Sequence, residues 1–171
     1  MNESIWIALM CGPTGSGKST FAARLCQSHG CLVVSTDSQR MAMFSGRYPA
    51  KPLWAESRAL IYDVVDDIVR SSLGHGFPVV VDGVNLTPQD RMRYLRHFPS
   101  NRCAIICFDS SFDNDAVWEG RGYNSSDAAK IRELHKMQFV EPQADEAQFV
   151  YRVRSGADME SLIQAWPFRR R

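Results

Sequence analysis

Short apolar runs alternate with stretches in which apolar residues recur every three or four positions. The runs at 5–10, 31–35, 78–82, 103–108 and 149–153 are too short for helices and rich in Ile, Val and Cys, which predicts five buried strands. Between them, residues 18–29 set Phe21 and Leu25 on one helical face. Residues 54–73 form the strongest helical pattern: Leu60, Ile61, Val64, Val65, Ile68 and Val69 line one side, and Asp63, Asp66, Asp67 and Arg70 turn away from it. Thr87 is set to cap a helix that Pro88 opens and that runs to about Phe98. Segments 113–120 and 126–139 read as helices around a Gly-, Asn- and Ser-rich break, and 158–165 as a last helix.

Strand–helix alternation of this kind implies an α/β fold, a parallel sheet of about five strands with helices on both faces. Ligands of such sheets sit beyond the carboxyl ends of the strands. A single domain over residues 1–171 is expected, with a small helical lid at about 113–126. The basic tip within 167–171, Arg169-Arg170-Arg171, reads as a solubilising, disordered tail.

Composition narrows the function classes. With 171 residues, 44% hydrophobic and 23% charged, the chain has the balance of a soluble globular domain. Its net charge of +1 excludes the broad basic field of a large duplex binder, so any nucleic acid contact is expected to be local, at one strand end. Five cysteines, at 11, 26, 31, 103 and 107, include no C-x-x-C pair. They are expected to be buried reduced thiols, which points to a cytoplasmic location. The four histidines lack paired ligand spacing, which argues against zinc. No run approaches the ~18 apolar residues of a membrane span.

The chemistry begins directly after the first strand. Gly12-Pro13-Thr14-Gly15-Ser16-Gly17-Lys18-Ser19, followed by Thr20, fits G-x-x-x-x-G-K-[ST], the P-loop of nucleoside triphosphate-binding proteins. Glycines let successive backbone N–H groups turn toward one anion, and the following helix adds its positive end. Lys18 supplies a mobile cation for the β- and γ-phosphates, and Ser19 a hydroxyl for Mg²⁺. ATP and Mg²⁺ are the expected cofactors, in a P-loop NTPase-type sheet.

Polar residues past the other strands are the remaining candidates. Asp37 follows the second strand and reads either as a general base for a hydroxyl nucleophile or as a helix N-cap. Arg40, three residues on, suits a phosphate clamp on the acceptor. Asp82 ends the third strand as an acid that holds Mg²⁺ or substrate, with Asn85 beside it, or else both only fix the loop before the helix at Thr87. Arg121, between two glycines, suits a lid closing over ATP or is a solvated arginine on a turn. Trp118 reads as packing, and Arg132 either reaches the same phosphates or lies on a polar face.

Taken in order, these stations resemble the kinase module of the 5′-OH polynucleotide kinases over nearly the whole chain. The resemblance rests on Gly12–Thr20, Asp37-x-x-Arg40, Val79-Val80-Val81-Asp82-x-x-Asn85-Leu86, and Arg121 followed by the helix with Arg132. It implies ATP phosphates and Mg²⁺ on Lys18 and Ser19, with Asp37 as general base toward a DNA or RNA 5′-OH. It further implies Arg40 on the phosphate just 3′ of the terminal nucleoside, and Arg121 on the β- and γ-phosphates. Asp82 matches an acid found in some members. Val117 stands where family lids often carry a second arginine, and no phosphatase or ligase module is read in the chain. Two other readings remain: a P-loop kinase for a nucleoside, sugar or modified DNA base, and a non-catalytic ATP-binding module. No N-K-x-D segment supports a guanine switch.

Overall fold

A computed structural model of the chain describes residues 5–108, 118 and 124–166. Its elements follow in the order β1 (Ile7–Cys11), α1 (Lys18–His29), β2 (Leu32–Ser35), α2 (Thr36–Met43), α3 (Lys51–Glu56), α4 (Arg58–Gly74) and β3 (Val79–Asp82). Then come α5 (Pro88–Leu95), a 3₁₀ turn at Ser100–Arg102, β4 (Cys103–Phe108), α6 (Ser125–Gln138), β5 (Phe149–Val153) and α7 (Gly156–Ala165).

The five strands form one sheet in the order β2-β3-β1-β4-β5, and every pairing is parallel. Period-two alternation sorts the central strand between two cores. Ala8 and Met10 meet Phe21, Ala22 and Leu25 of α1 and Met159 and Ile163 of α7 on one face. Ile7 and Leu9 meet Val65 and Val69 of α4 and Tyr94 and Leu95 of α5 on the other. Because both faces are covered, β1, β3 and β4 are buried at every position, which is why they read as unbroken apolar runs. The chain leaves β1 for β2 on one side and β3 for β4 on the other. The neighbouring ends of β1 and β3 therefore form the switch point where ligands of open sheets bind.

Several boundaries differ from expectation for local reasons. The helix predicted at 54–73 breaks at Ser57, whose hydroxyl donates to the Trp54 carbonyl at 3.3 Å and ends α3 before α4 begins. Leu60, expected in the core, is 53% exposed. Asp66, expected outside, is buried on His97 Nε2 at 3.0 Å because the end of α5 crosses α4 there. Thr87 caps α5 as predicted, with Asp90 returning the bond in a capping box, but the helix stops at Leu95. The predicted helix at 113–120 lies outside the described residues except for Trp118, which is helical and buried.

The cysteine expectation needs correction. Cys26 and Cys31 form a disulfide, and Cys11, Cys103 and Cys107 are the free thiols. Gly30, in the left-handed conformation after α1, folds the chain back so that the two α-carbons lie 4.5 Å apart. Sequence spacing alone carries no sign of that turn, and the cysteine count thus no longer argues for a reducing compartment. No helix among the described residues is long and apolar enough to cross a membrane.

Candidate functional site

The phosphate loop occupies the carboxyl end of β1, at the switch point. Gly12, Gly15 and Gly17 all have positive φ, at 141°, 86° and 88°. At Gly12 the requirement is also steric: a Cβ would stand 2.7 Å from the carbonyl oxygen of Phe108 on β4. Gly12 is further held by its N–H on the Val84 carbonyl at 3.0 Å. Lys18 opens α1 and is buried, its ammonium folded back onto the Pro13 carbonyl and 3.3 Å from Ser16 Oγ, while Ser16 Oγ donates to Pro13 at 2.8 Å. Ser19 and Thr20 are exposed on the first turn of α1.

Ligand fit is tested by the helix start itself. Helices α2, α5, α6 and α7 each carry a side-chain cap, from Ser35, Thr87, Asn124 and Ser155. α1, like α3 and α4, has neither a side-chain cap nor an acid in its first turn, but it alone of the three follows a glycine-rich loop at the end of a strand. Its positive end thus meets no built-in anion, as a phosphate site requires. Pro13, Thr14 and Ser16 complete the rim, and Thr14 N–H donates to Nδ1 of His135 on α6 at 3.4 Å. His135 lies 121 residues away and had no signal in the sequence.

Asp37, Asp82 and the phosphate loop stand at the carboxyl ends of three adjacent strands, β2, β3 and β1. Two inter-strand spacings amount to about 10 Å. Asp82 pairs in register with Ser35, the N-cap of α2, and is buried between the two outer stations. Ser35 accepts from Ser38 N–H, so Asp37 lies in the first turn of α2 and is not its cap. That removes the capping reading.

Arg40 lies one turn on and donates from Nη1 to Asp37 Oδ1 at 2.9 Å. Its guanidinium stacks 4.7 Å from the Trp54 ring centroid, and the residue is 2% exposed. Nε of Arg40 is buried without a hydrogen-bond partner. Trp54, which sequence reasoning had placed only within a helix, forms this arginine's platform.

Asn85 belongs to the scaffold. It adopts a left-handed φ of 42°, and its amide donates to the Met10 carbonyl at 2.8 Å. Its carbonyl accepts from Cys11 Sγ at 3.2 Å and from Arg91 Nη1 at 3.3 Å. Arg91, fully buried, also grips both carboxylate oxygens of Glu146, through Nε at 2.7 Å and Nη2 at 2.9 Å. Burial alone would push the Glu146 carboxyl up, but the Arg91 bonds, the Gln143 N–H and the Arg91 charge hold it below its ordinary value. This knot fixes the loop behind Asp82.

Beside Pro13 opens a cavity of about 270 Å³, walled by Leu86, Phe108 and Phe139, with His135, Lys136 and Arg152 at its polar side. Arg132, on the same helix as His135, lies 6.0 Å from the Trp118 ring centroid, and Trp118 is buried as packing. Arg121 lies outside the described residues.

A five-stranded parallel sheet with this strand order and a phosphate loop after β1 defines a P-loop kinase-like fold. Residues 7–148 match the AAA domain family profile, so the chain belongs to that family. The fold is similar to a putative kinase from Chloroflexus aurantiacus, with TM-score 0.72 and 14% identity over 94% of this chain and 96% of that one. It is also similar to the shikimate kinase of Acinetobacter baumannii, with TM-score 0.56 and 16% identity over 95% and 90%. Among curated sequences, tRNA dimethylallyltransferase of Methylobacterium radiotolerans is 41% identical over 70 residues, 39% of this chain and 23% of that protein. An uncharacterized protein of Mycobacterium tuberculosis is 29% identical over 138 residues, 74% and 28% respectively. The chain thus spans about a quarter of the length of these curated relatives.

Proposed function

We propose that this chain transfers the γ-phosphate of ATP to an alcohol, with Asp37 as general base. One observation carries the reading: a carboxylate in contact with an arginine, a second buried carboxylate and a phosphate loop with an uncapped helix share the ends of three neighbouring strands. The loop amides and Lys18 would hold the phosphates, and Ser19 and Asp82 are the residues that would hold Mg²⁺, which would supply positive charge against the transferring phosphate. Lys18 leaves the Pro13 carbonyl for the γ-phosphate when ATP binds. The apolar cavity beside Pro13 takes the nucleoside end; its volume lies just under the ~300–1,000 Å³ of pockets for whole drug-sized ligands. Asp37 accepts the acceptor's proton as its oxygen attacks in line.

The acceptor we propose is the 5′-OH end of DNA or RNA. Arg40 supports it: a guanidinium offers five N–H donors in a fork suited to a phosphate, and it stands in contact with the proposed base Asp37. Arg121 remains proposed as the lid arginine, and Asn85 as a residue that positions Asp82. A small hydroxylated acceptor is the second reading, favoured by the 2% exposure of Arg40, which makes it a support for Asp37 more than a surface clamp. The cytoplasm remains the expected location.

Phosphate transfer from γ-labelled ATP separates these readings. Wild type and Arg40→Ala are offered 5′-OH oligonucleotides, 3′-mononucleotides, free nucleosides and sugars. Labelled oligonucleotide ends, lost in Arg40→Ala while ATP still binds, support the polynucleotide acceptor. Free nucleosides or sugars as best acceptors replace it with the second reading. ATP binding without transfer to any alcohol refutes the kinase reading.

A further inference from the structure

We propose that Cys11 and Cys107 form an oxidant-accepting dithiol under the phosphate loop, which closes to a disulfide when a hydroperoxide enters the neighbouring cavity. The phosphoryl-transfer reading uses neither thiol, and the site stands or falls independently of it.

Position comes first. Cys11 and Cys107 are register partners on the parallel strands β1 and β4, so their side chains leave the same face of the sheet. Both belong to the core on the α4–α5 side. Adjacent strands lie about 4.8 Å apart. That falls within the roughly 4.4–6.8 Å between α-carbons that a disulfide accepts. No segment has to unfold to bring the sulfurs together, because the two residues are neighbours across one strand pairing.

Their surroundings suit redox chemistry. Arg91 Nη1 stands 3.9 Å from Cys11 Sγ, and Cys11 Sγ donates to the Asn85 carbonyl at 3.2 Å. The neighbouring Cys107 side chain, followed by the charges of Arg91 and Lys18, outweighs burial and lowers the Cys11 thiol below its ordinary range. Cys107 moves the opposite way. Access comes from one side only: Cys107 lines the cavity beside Pro13 and is 5% exposed, whereas Cys11 is fully buried.

The chemistry balances with a hydroperoxide as oxidant. Cys107 is the sulfur the oxidant reaches, and it reacts as the thiolate after giving its proton to water: the sulfur attacks the outer peroxide oxygen, the O–O bond breaks, the leaving oxygen takes a proton back from water, and Cys107 becomes a sulfenic acid. The Cys11 sulfur then attacks the Cys107 sulfur, the S–O bond breaks, and the hydroxyl departs as water with the Cys11 proton. Two thiols lose two electrons in total, and the peroxide gains them. Cys103 is a built-in control at the other end of β4, where burial pushes its thiol up to about 11 and no second free cysteine stands in register.

Hydrogen peroxide is the probe. The full chain is treated, quenched, alkylated under denaturing conditions and mapped by mass spectrometry. Expected is a peptide pair joined through Cys11 and Cys107, two hydrogens lighter than its parts and released by dithiothreitol, with Cys103 alkylated throughout. Cys11 and Cys107 alkylated as fully as Cys103 would overturn the proposal, as would Cys107 ending as an unlinked sulfinic acid. Cys11→Ala removes the resolving sulfur, so labelling of Cys107 by a sulfenic-acid-trapping 1,3-dione should rise at least tenfold over wild type. Unchanged labelling of the folded variant also overturns it, and the wild-type mapping decides the matter without any variant.

Discussion

Asp37 carries the most specific expectation of any residue. Asp37→Asn keeps the size and the contact with Arg40 but removes the base. Turnover should fall by about 10²–10⁴-fold, while ATP affinity, measured by calorimetry, stays within about threefold of wild type. Lys18→Met should behave differently, losing affinity together with about 10²–10³ in rate, since its charge meets the phosphates themselves. Gly12→Ala tests the backbone. With φ at 141° and the Phe108 carbonyl 2.7 Å from the new Cβ, the chain must shift at the loop's first residue. About 1–3 kcal/mol of stability should disappear in a urea titration, with nucleotide binding lost alongside it.

At the scale of elements, α5 and the segment before β5 are joined through Arg91 and Glu146. Glu146→Ala leaves a guanidinium buried without its carboxylate and should cost about 3–5 kcal/mol. The paired replacement Arg91→Met with Glu146→Leu should cost less, because no charge is stranded. The same contact predicts a pH dependence. Glu146 has a folded pKa below its ordinary 4.5, so its stabilisation is present above that value and lost as pH falls through the folded pKa. Unfolding free energy measured from pH 6 downward should therefore drop in wild type with a steeper slope below about 4.5 than in Glu146→Gln. Thr87 and Pro88 were legible as a helix start because a cap and a first-turn proline act within a few residues, whereas the return bond from Asp90 came from the structure. The break at Ser57 was not, since nothing in the periodicity says which way a hydroxyl turns.

For the whole molecule, the disulfide between Cys26 and Cys31 ties the end of α1 to the start of β2 across a sequence separation of 5. Closing so short a loop restricts the unfolded chain by about 2 kcal/mol. Cys26→Ser together with Cys31→Ser should lower stability by that amount in denaturant, with the sheet order intact. The larger consequence of the sheet order is functional. Asp37 and the phosphate loop stand two strand spacings apart at one edge of the sheet because β3 inserts between β2 and β1, a neighbour relation that chain order does not state.

Alternating patterns, glycine spacing and caps act within a few residues, so the chain's own sequence determined five parallel strands, the phosphate loop and the helix behind it. β4, β5 and α1 were legible to the residue, and Asp37 and Asp82 were found as acids just past one strand and at the end of another. Tertiary structure alone decided the rest. Trp54 beneath Arg40, His135 on the Thr14 amide, Arg91 on Glu146 and the Cys11–Cys107 pair each join segments that only packing brings together. Such contacts are selected by the three-dimensional filling of space, which leaves no periodic trace along the chain.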